Sequence, residues 1–422
     1  MSPRTVRALE LSLAPHRALT TLARSVVSEK ATYGSGPLPA LRVTGIPRPA
    51  RPPGWVRVAP TLAGICGSDR KLLSLTGMGT TLTALHGFPR HPIVPGHEVV
   101  GTVLEADPDA GVAVGDRVVL DPLLGCDAKG YARCARCAAG AVRHCAHLAD
   151  AGTLSPGIGA GFHRRYGGGW GTELVAPADR VLPVPDDLDD RSAVLAEPMA
   201  VAVHAVLHVP PPAGARVVVL GAGPIGLAVA MALTALRPDV TPVVTSLDHR
   251  TDELVLRTGV TELLHGTGRE LLRAAAHLWD TPLRGTRLSG RVLEDGADVV
   301  VDCVGTATSL DDATRMLRPG GTLVLVGTTA RVELDLSLVW HRELTIAGVA
   351  HQGVDVVPDT AVAGIAPGRR RTLEVALDVL RHHRPGHLVT HVFPLDEHVE
   401  ALTTSAAGPA AGAVKVAFAP GA

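Results

Sequence analysis

Residues that commonly bind metal ions occur in three separate segments of the N-terminal half of the sequence. Cys66 lies in GICGSD, and His97 is followed by Glu98 in PGHEVVG. Glu197 begins the apolar helical pattern of AEPMAVAVHAV. A thiolate, an imidazole and a carboxylate can supply three protein ligands and leave a fourth position open, as in a catalytic zinc site. A buried cysteine, or a histidine whose hydrogen bonds are satisfied by the backbone, is commoner than a metal ligand, so this prediction depends on the joint occurrence of the three residues.

A second group of candidate metal ligands consists of cysteines alone. Cys134 and Cys137 form a CxxC pair, Cys145 follows after seven intervening residues, and Cys126 precedes the pair. Four thiolates on one lobe fit a closed, structural zinc site, and the alternative is oxidised or unused thiols. With six cysteines in the whole sequence, metal binding in a reducing compartment is favoured over a disulfide framework.

A glycine-rich segment, VVVLGAGPIGLAVA, joins an apolar strand pattern to an amphipathic helix pattern. Gly221, Gly223 and Gly226 have the spacing that allows a tight turn and brings backbone amides to a pyrophosphate, with Pro224 and Ile225 between them. A second strand pattern begins near Thr241, where the dinucleotide fingerprint requires one. The segment therefore predicts nucleotide binding, and the alternative is a glycine turn retained for packing.

The end of that second strand bears on the choice between NAD and NADP. The segment VVTSLDHR has Ser246 where a carboxylate would usually bind the ribose hydroxyls. Ser246, His249 and Arg250 leave room and positive charge for a 2'-phosphate, so NADP is favoured over NAD. Asp248 is the counter-argument, because a small shift of the turn would bring its carboxylate to the ribose.

The length of the chain and the change in its strand and helix pattern indicate two domains. The 422 residues, 46% of them hydrophobic, are too many for one ordinary core. Residues 40 to 190 are rich in Gly and Pro with short valine-rich runs, as in an irregular β domain, whereas strands and helices alternate from about residue 205. The formal charge of −1 gives no global field that would favour nucleic acid or a membrane surface, and a cytoplasmic location is expected.

These segments together closely resemble the zinc-dependent medium-chain dehydrogenase/reductase family, in particular its polyol, threonine and glucose dehydrogenase branch. The resemblance is carried by GICGSD, PGHEVVGTV, AEPMAVAVHAV, VLGAGPIG and VVVDCVG, and it extends from about residue 40 to 418. It implies an α/β protein with a GroES-like β-barrel catalytic domain and a doubly wound, parallel-sheet Rossmann domain. The predicted limits are 1–204 for the catalytic domain, 205–349 for the cofactor domain and 350–422 for a C-terminal segment that returns to the first domain.

The resemblance also implies roles for single residues. Cys66, His97 and Glu197 would bind the catalytic zinc, and Glu98 would bind it too or exchange on and off it. In the structural-zinc lobe, about residues 122–146, the last three cysteines match the family pattern. The first spacing does not match, and DAKGY is interpreted as an insertion. Val304 and Gly305, in VVVDCVG, would contact the cofactor.

The proton route is where the sequence departs from the family. Ser68 matches the hydroxyl that begins the relay, but Lys71 occupies the position where the family usually has a histidine. Lysine occurs only at positions 30, 71, 129 and 415, which draws attention to it. Lys71 is either a substitute proton carrier whose pKa is lowered by burial, or a solvated side chain that marks a shortened relay.

The expected function is zinc-dependent, NAD(P)-linked interconversion of a secondary alcohol or polyol and its ketone. The small-molecule substrate is not identified by the sequence, and the resemblance implies a homodimer or a homotetramer. Two alternatives stay open: a zinc-independent NADPH reductase of activated double bonds, and a non-catalytic NADPH-binding protein on the same fold.

Overall fold

A computed structural model describes residues 5–12, 33, 40–74, 92–148, 150, 159–162, 165–247, 249–286, 290–328 and 331–422. In these ranges the strands are β1 Thr5–Leu11, β2 Leu41–Pro47, β3 Trp55–Gly64, β4 Val99–Glu105, β5 Arg117–Leu120, β6 Leu174–Pro177, β7 Val181–Pro183, β8 Arg216–Leu220, β9 Thr241–Ser246, β10 Glu262–His265, β11 Leu283–Thr286, β12 Gly290–Leu293, β13 Ala297–Asp302, β14 Leu317–Leu325, β15 Thr345–Gly348, β16 Val354–Val357, β17 Gly368–Arg371, β18 Val389–Phe393 and β19 Lys415–Phe418. The α-helices are α1 Gly67–Ser74, α2 Ala135–Ala138, α3 Asp190–Ala193, α4 Ala196–His208, α5 Pro224–Leu236, α6 Asp252–Leu256, α7 Gly268–Leu278, α8 Ala307–Met316, α9 Ser337–His341, α10 Thr372–His383 and α11 His398–Ala407. Asp248 lies outside the described residues.

The chain divides into two compact units, one of residues 1–197 with 384–422 and one of residues 198–383. The predicted domain limits, 1–204, 205–349 and 350–422, differ from the boundaries of these two units. They remain our proposal for the domain organisation. In the described part of the chain, no helix combines the length and the apolar composition that crossing a bilayer requires.

The first unit is built on a seven-stranded, mostly antiparallel sheet in the order β18-β19-β3-β4-β5-β7, with β6 also paired to β3. Its valine-rich runs form strands because β-branched side chains pack well on a pleated surface. Val58, Val103, Val118 and Leu174 lie together in one of its buried clusters. The irregular β domain predicted for residues 40 to 190 is therefore present.

The C-terminal strand of the first unit places a late part of the chain beside an early one. β19 pairs antiparallel to β3 through Ala417 with Gly64 and Phe418 with Ala63. Phe418 also contacts the fully buried Trp170 edge to face, with ring centroids 5.1 Å apart. As a result, residues near 415 lie close to the residues that follow β3.

The second unit contains a six-stranded parallel sheet in the order β10-β9-β8-β13-β14-β15. This is the strand order of a doubly wound dinucleotide-binding fold, as the alternating pattern predicts. The central strands β8 and β13 each contain a buried or nearly buried run of three valines, as expected where helices cover both faces of such sheets. In this order, the carboxyl ends of β8, β9 and β13 meet at one edge, which is where ligands bind to sheets of this kind.

Candidate active site

The first candidate metal site lies where β3 ends and β4 begins. These strands are antiparallel neighbours, with Ala63 opposite Val99, so Cys66 just after β3 meets His97 and Glu98 just before β4. Each of these three residues offers one ligand atom, and all three atoms lie within 4.8 Å of one another. The sheet thus brings together two segments that are 31 residues apart in sequence (97 minus 66).

Asp69 orients both the cysteine loop and the histidine. Its Oδ2 accepts a hydrogen bond of 3.0 Å from the backbone N–H of Cys66, and its Oδ1 lies 3.3 Å from Nδ1 of His97. Burial alone would lower the pKa of His97, but the Asp69 carboxylate and the Cys66 thiol outweigh it and hold that pKa well above its ordinary value. A carboxylate on the second ring nitrogen is the usual support of a metal-binding histidine.

Glu98 has a partner that the sequence did not suggest. Lys415, the first residue of β19, forms an ion pair with Glu98, and both side chains are buried. Burial would lower the pKa of Lys415, but the charges of Glu98 and Cys66 raise it. A Cβ at position 64 would overlap a carboxylate oxygen of Glu98, so Gly64 leaves the space that this pair occupies. The signal was available, because lysine is rare in this chain and Lys415 begins the apolar segment KVAF.

Glu197 is buried in the same unit but is not a member of the three-residue group. Burial raises the pKa of Glu197 to about 7, the nearby positive charges of His97 and Lys415 oppose the rise, and the negative charge of Glu98 adds to it. Among the described residues, Glu98 is therefore the carboxylate grouped with Cys66 and His97. The assignment of Glu197 as a zinc ligand stays a prediction.

The donor set of this group fits a zinc ion. Thiolate, imidazole and carboxylate are all zinc ligands, and three of them leave a position for substrate or water. The buried ammonium of Lys415 offsets part of the negative charge that the thiolate and the two glutamates would carry. The group can therefore hold a divalent cation without an excess of buried negative charge.

Ser68 and Lys71 both lie on α1, which begins directly after Cys66. Both side chains are half-buried. Burial is the main cause that lowers the pKa of Lys71, and the neighbouring Arg70 adds to the effect. This direction agrees with the first of the two interpretations of Lys71, and its role stays a prediction.

The four lobe cysteines converge despite the irregular spacing of the first one. Cys126, Cys134, Cys137 and Cys145 each place Sγ within 4.8 Å of the others, and none is in a disulfide. Sγ of Cys126 and Sγ of Cys145 are 3.5 Å apart, close to the roughly 3.8 Å between two ligands of a tetrahedral zinc–thiolate site. Backbone N–H groups of Ala146 and Cys137 lower the pKa of Cys134 to about 6, whereas burial raises that of Cys137 to about 12. The cluster fits a structural zinc ion.

The insertion in this lobe contributes a buried lysine. Lys129 ends a short 3-10 helix, Asp127–Lys129, that follows Cys126 directly. Its Nζ donates hydrogen bonds to the carbonyls of His147 and Leu148, at 2.9 and 2.7 Å. Burial lowers the pKa of Lys129, and the charges of Cys145 and Cys126 oppose that shift. The segment interpreted as an insertion therefore supplies a positive charge beside the four cysteines.

In the second unit, the glycine-rich turn has the geometry of a dinucleotide cradle. Gly221 has a φ of 98°, which favours glycine, and a Cβ on Gly226 would overlap the carbonyl of Gly221. Gly223 precedes the first turn of α5, where Pro224 lies, and a Cβ there would meet nothing within 4 Å. The helix N-terminus thus faces open space, where its backbone amides can receive phosphate groups.

The loop after β13 adjoins this turn. A Cβ on Gly221 would lie 2.7 Å from Cγ2 of Val304. The backbone N–H groups of Val304 and Gly305 donate to the buried carboxylate of Asp302, at 2.9 and 3.1 Å, which fixes the loop. Val304 and Gly305 therefore lie at the same sheet edge as the glycines. Their contact with a cofactor stays a prediction.

The residues predicted to bind the adenosine ribose of the cofactor lie at the end of β9 and in the turn that follows it. Ser246 is buried at the last position of that strand, and His249 and Arg250 are exposed in the turn that follows. Nδ1 of His249 lies 2.8 Å from a carboxylate oxygen of Asp252. Asp252 was not identified from the sequence. The negative charge of Asp252 offsets part of the positive charge of His249 and Arg250 in the turn after β9.

Comparison with known proteins agrees with this fold and with the class of NAD(P)-linked oxidoreductases. Residues 52–186 match the model of the alcohol dehydrogenase GroES-like domain, and residues 224–366 match that of the zinc-binding dehydrogenase domain. The chain belongs to the zinc-dependent medium-chain dehydrogenase/reductase family, the family of zinc-type alcohol dehydrogenases. The expected fold class and enzyme class are confirmed.

The similar relatives include several polyol dehydrogenases. D-arabinitol dehydrogenase 1 of Uromyces fabae is 27% identical over 349 residues, which cover 81% of this chain and 84% of that protein. Sorbitol dehydrogenase of Bombyx mori is 27% identical over 377 residues, covering 88% and 93%. Erythritol/L-threitol dehydrogenase of Mycolicibacterium smegmatis is 28% identical over 391 residues, covering 90% and 94%.

Solved structures support the fold. A putative zinc-binding dehydrogenase from Sinorhizobium meliloti bound to NADP has a TM-score of 0.67 and 23% identity, covering 99% of this chain and 100% of that chain. An alcohol dehydrogenase from E. coli complexed with NADH has a TM-score of 0.69 and 21% identity, covering 98% and 99%. One of these relatives was bound to NADP and the other to NADH, so the fold does not select the cofactor of this chain.

Proposed function

We propose that this enzyme interconverts a secondary alcohol group of a polyol and the corresponding ketone, with zinc and a nicotinamide cofactor. The observation that carries the proposal is the grouping of Cys66, His97 and Glu98 within 4.8 Å. A zinc ion held there would act as a Lewis acid on the alcohol or carbonyl oxygen of the substrate. The names of the polyol dehydrogenase relatives support the substrate class.

The protein's own residues would set the protonation of the site. Asp69 holds His97 by its Nδ1 and leaves Nε2 for the metal, while Lys415 holds the carboxylate of Glu98. Ser68 would exchange the proton of the substrate hydroxyl, and Lys71, three positions further along α1, would pass it on. A lysine whose pKa is lowered by burial is better matched to proton transfer near neutral pH than a solvated one.

Glu197 would take part in zinc binding together with Cys66, His97 and Glu98. Its pKa of about 7 means that small changes in nearby charge alter its ionisation. A divalent cation bound by Cys66 and His97 would favour the ionised form and make Glu197 available as a ligand. Glu98 and Glu197 would then be alternative carboxylate ligands of the catalytic zinc.

The other assignments are supported as follows. Cys126, Cys134, Cys137 and Cys145 would hold a structural zinc ion. Ser246 in place of a carboxylate favours NADP over NAD. Six free cysteines agree with a reducing, cytoplasmic location.

A homodimer or homotetramer is the proposed assembly. β15 is the last strand of the parallel sheet, so one of its edges has no neighbour within that sheet. Trp340, on α9 shortly before β15, is 73% exposed, and Ile346 within β15 is 40% exposed. Large apolar side chains beside an open strand edge favour pairing with a second copy.

Metal analysis together with turnover tests the proposal. The purified enzyme should contain two zinc ions per chain and reduce NADP with a subset of a polyol panel. Cys66→Ser should lose one zinc ion and turnover but keep NADP binding. The matched variant Cys303→Ser, which changes a cysteine outside both cysteine-containing sites, should keep both zinc ions, turnover and NADP binding. An active Cys66→Ser protein with one zinc would contradict the proposal, and reduction of an activated alkene without zinc would favour the double-bond reductase.

A further inference from the structure

Two histidines and an aspartate converge at the carboxyl edge of the parallel sheet, away in sequence from both cysteine-containing sites. His249 lies in the 3-10 turn after β9, Asp252 begins α6, and His265 ends β10. β9 and β10 are parallel neighbours, with His265 opposite Ser246 in the register. The topology therefore brings side chains from three successive elements to one place.

The three side chains face one another. One carboxylate oxygen of Asp252 lies 2.8 Å from Nδ1 of His249, and the other lies 2.8 Å from Nε2 of His265. The centroids of the two imidazole rings are 4.0 Å apart. One ligand atom of each residue lies within 4.8 Å of the other two.

This arrangement is close to that of a bound transition-metal ion. Ligand atoms about 2.0–2.2 Å from a tetrahedral zinc are roughly 3.3 Å from one another, and the three ligand atoms of this group, one from each residue, all lie within 4.8 Å of one another. A neutral imidazole can offer the nitrogen that faces Asp252 by carrying its proton on the other ring nitrogen.

The donor set also indicates which cations would bind. Imidazole nitrogens suit Zn²⁺, Ni²⁺ and Cu²⁺, whereas Mg²⁺ and Ca²⁺ prefer oxygen ligands. His249 is 81% exposed in its side chain, so the open side of the group faces solvent and water can complete the coordination. Unlike the two cysteine-containing groups, this one would be loaded and emptied by exchange with the medium.

We propose that His249, Asp252 and His265 form a third divalent-cation site, which takes a transition-metal ion such as Zn²⁺ or Ni²⁺. With both imidazoles neutral, the group carries one negative charge from Asp252, and a bound dication changes it to one positive charge. Ser246 and Arg250 lie at the same strand end. The effect on cofactor binding rests on the proposed preference for NADP. If NADP is the cofactor, the bound cation attracts its 2'-phosphate.

Ni²⁺ binding to the enzyme that carries two zinc ions per chain, one in each cysteine-containing site, tests the site itself. Equilibrium dialysis should give one Ni²⁺ per wild-type chain, and Asp252→Asn and His265→Ala should each weaken its binding by more than about tenfold. His277→Ala, which removes an exposed histidine of α7 outside the group, should bind Ni²⁺ like the wild type. Absence of Ni²⁺ binding in the wild type, or binding unchanged by both variants, would overturn the proposal.

A second measurement separates this site from the cofactor proposal. Titration calorimetry with NADP and with NAD, each with and without Ni²⁺, should show tighter binding of NADP alone when Ni²⁺ is present. If Ni²⁺ binds but neither affinity changes, the cation site is supported and its coupling to the 2'-phosphate is overturned. If NAD is bound more tightly than NADP in all conditions, the cofactor proposal fails while the cation site stands on its own stoichiometry.

Discussion

Lys415 and Glu98 form an ion pair in the interior of the first unit, in the space that Gly64 leaves open. The two residues are 317 positions apart in sequence (415 minus 98) and meet because β19 pairs with β3. A buried ion pair contributes little net stability, but removing one partner strands the other charge in the interior.

We therefore expect Lys415→Met to destabilise the protein that holds no metal ion at Cys66, His97 and Glu98 by about 3–5 kcal/mol, because Glu98 would then have no oppositely charged partner. Chemical denaturation gives the free energy of unfolding. Arg284→Met, which breaks an exposed ion pair with Glu294, should cost no more than about 1 kcal/mol. Equal losses for the two variants would show that Glu98 and Lys415 are not a buried pair.

Lys129→Met should weaken the structural zinc lobe. The substitution removes a positive charge near the thiolates and leaves the carbonyls of His147 and Leu148 without their donor. We expect zinc release to a chelator to accelerate by about tenfold or more. Arg133→Met, on the exposed side of the same lobe, serves as the control. Identical release rates for Lys129→Met and the wild type would refute a role in zinc retention.

Lys71→Met tests the proton route. Burial lowers the pKa of Lys71, so a relay through its amine would appear as a limb in the pH profile of kcat/KM. We expect that limb to disappear in Lys71→Met while NADP affinity stays unchanged. A pH profile of Lys71→Met that matches the wild type would exclude Lys71 as a proton carrier and support the interpretation that it is a solvated side chain.

Ser246→Asp should shift cofactor preference from NADP toward NAD. A carboxylate at the end of β9 would accept hydrogen bonds from the ribose hydroxyls and repel the 2'-phosphate. The measurement is the ratio of kcat/KM with NADP to that with NAD, and Ser246→Ala controls for loss of the hydroxyl. An unaltered ratio in Ser246→Asp would contradict the assignment of this strand end.

His383 makes the stability of the second unit depend on pH. Burial lowers the pKa of His383 from 6.5 to about 4, the positive charge of His382 adds to the shift, and Nε2 of His383 lies 3.1 Å from the carbonyl of Met231. The unfolded chain then binds a proton at a higher pH than the folded chain does. Stability from this group is complete above pH 6.5 and is lost as the pH falls toward 4, by up to about 3 kcal/mol. His383→Gln should flatten this part of the stability profile, whereas His382→Gln, which removes only the smaller of the two causes, should retain most of it.

The local patterns of the sequence were sufficient to predict an irregular β domain followed by a domain of alternating strands and helices. Strand, glycine turn and helix follow one another from β8 into α5, and the short valine runs mark the irregular β domain. Cys66 and His97 could be paired because their residue types fit one chemistry. These features depend on residues close together in the chain or on well-defined ligand chemistry.

The missed features depend on long-range pairing. Lys415 reaches Glu98 only through the register of β19 with β3, and no local pattern specifies that register. His265 reaches Asp252 in the same way, through the pairing of β10 with β9. The sequence leaves open whether Glu98 or Glu197 binds the catalytic zinc, because both are carboxylates and no local pattern specifies the placement of their side chains.

The distance along the chain between Glu98 and Lys415 has a consequence during synthesis. At about 5–20 residues per second, the ribosome needs roughly 15–60 s to proceed from one to the other. During that interval the nascent polypeptide carries the carboxylate of Glu98 without its ammonium partner. The early β segments therefore cannot complete their interior until residue 415 has been translated and has cleared the exit tunnel.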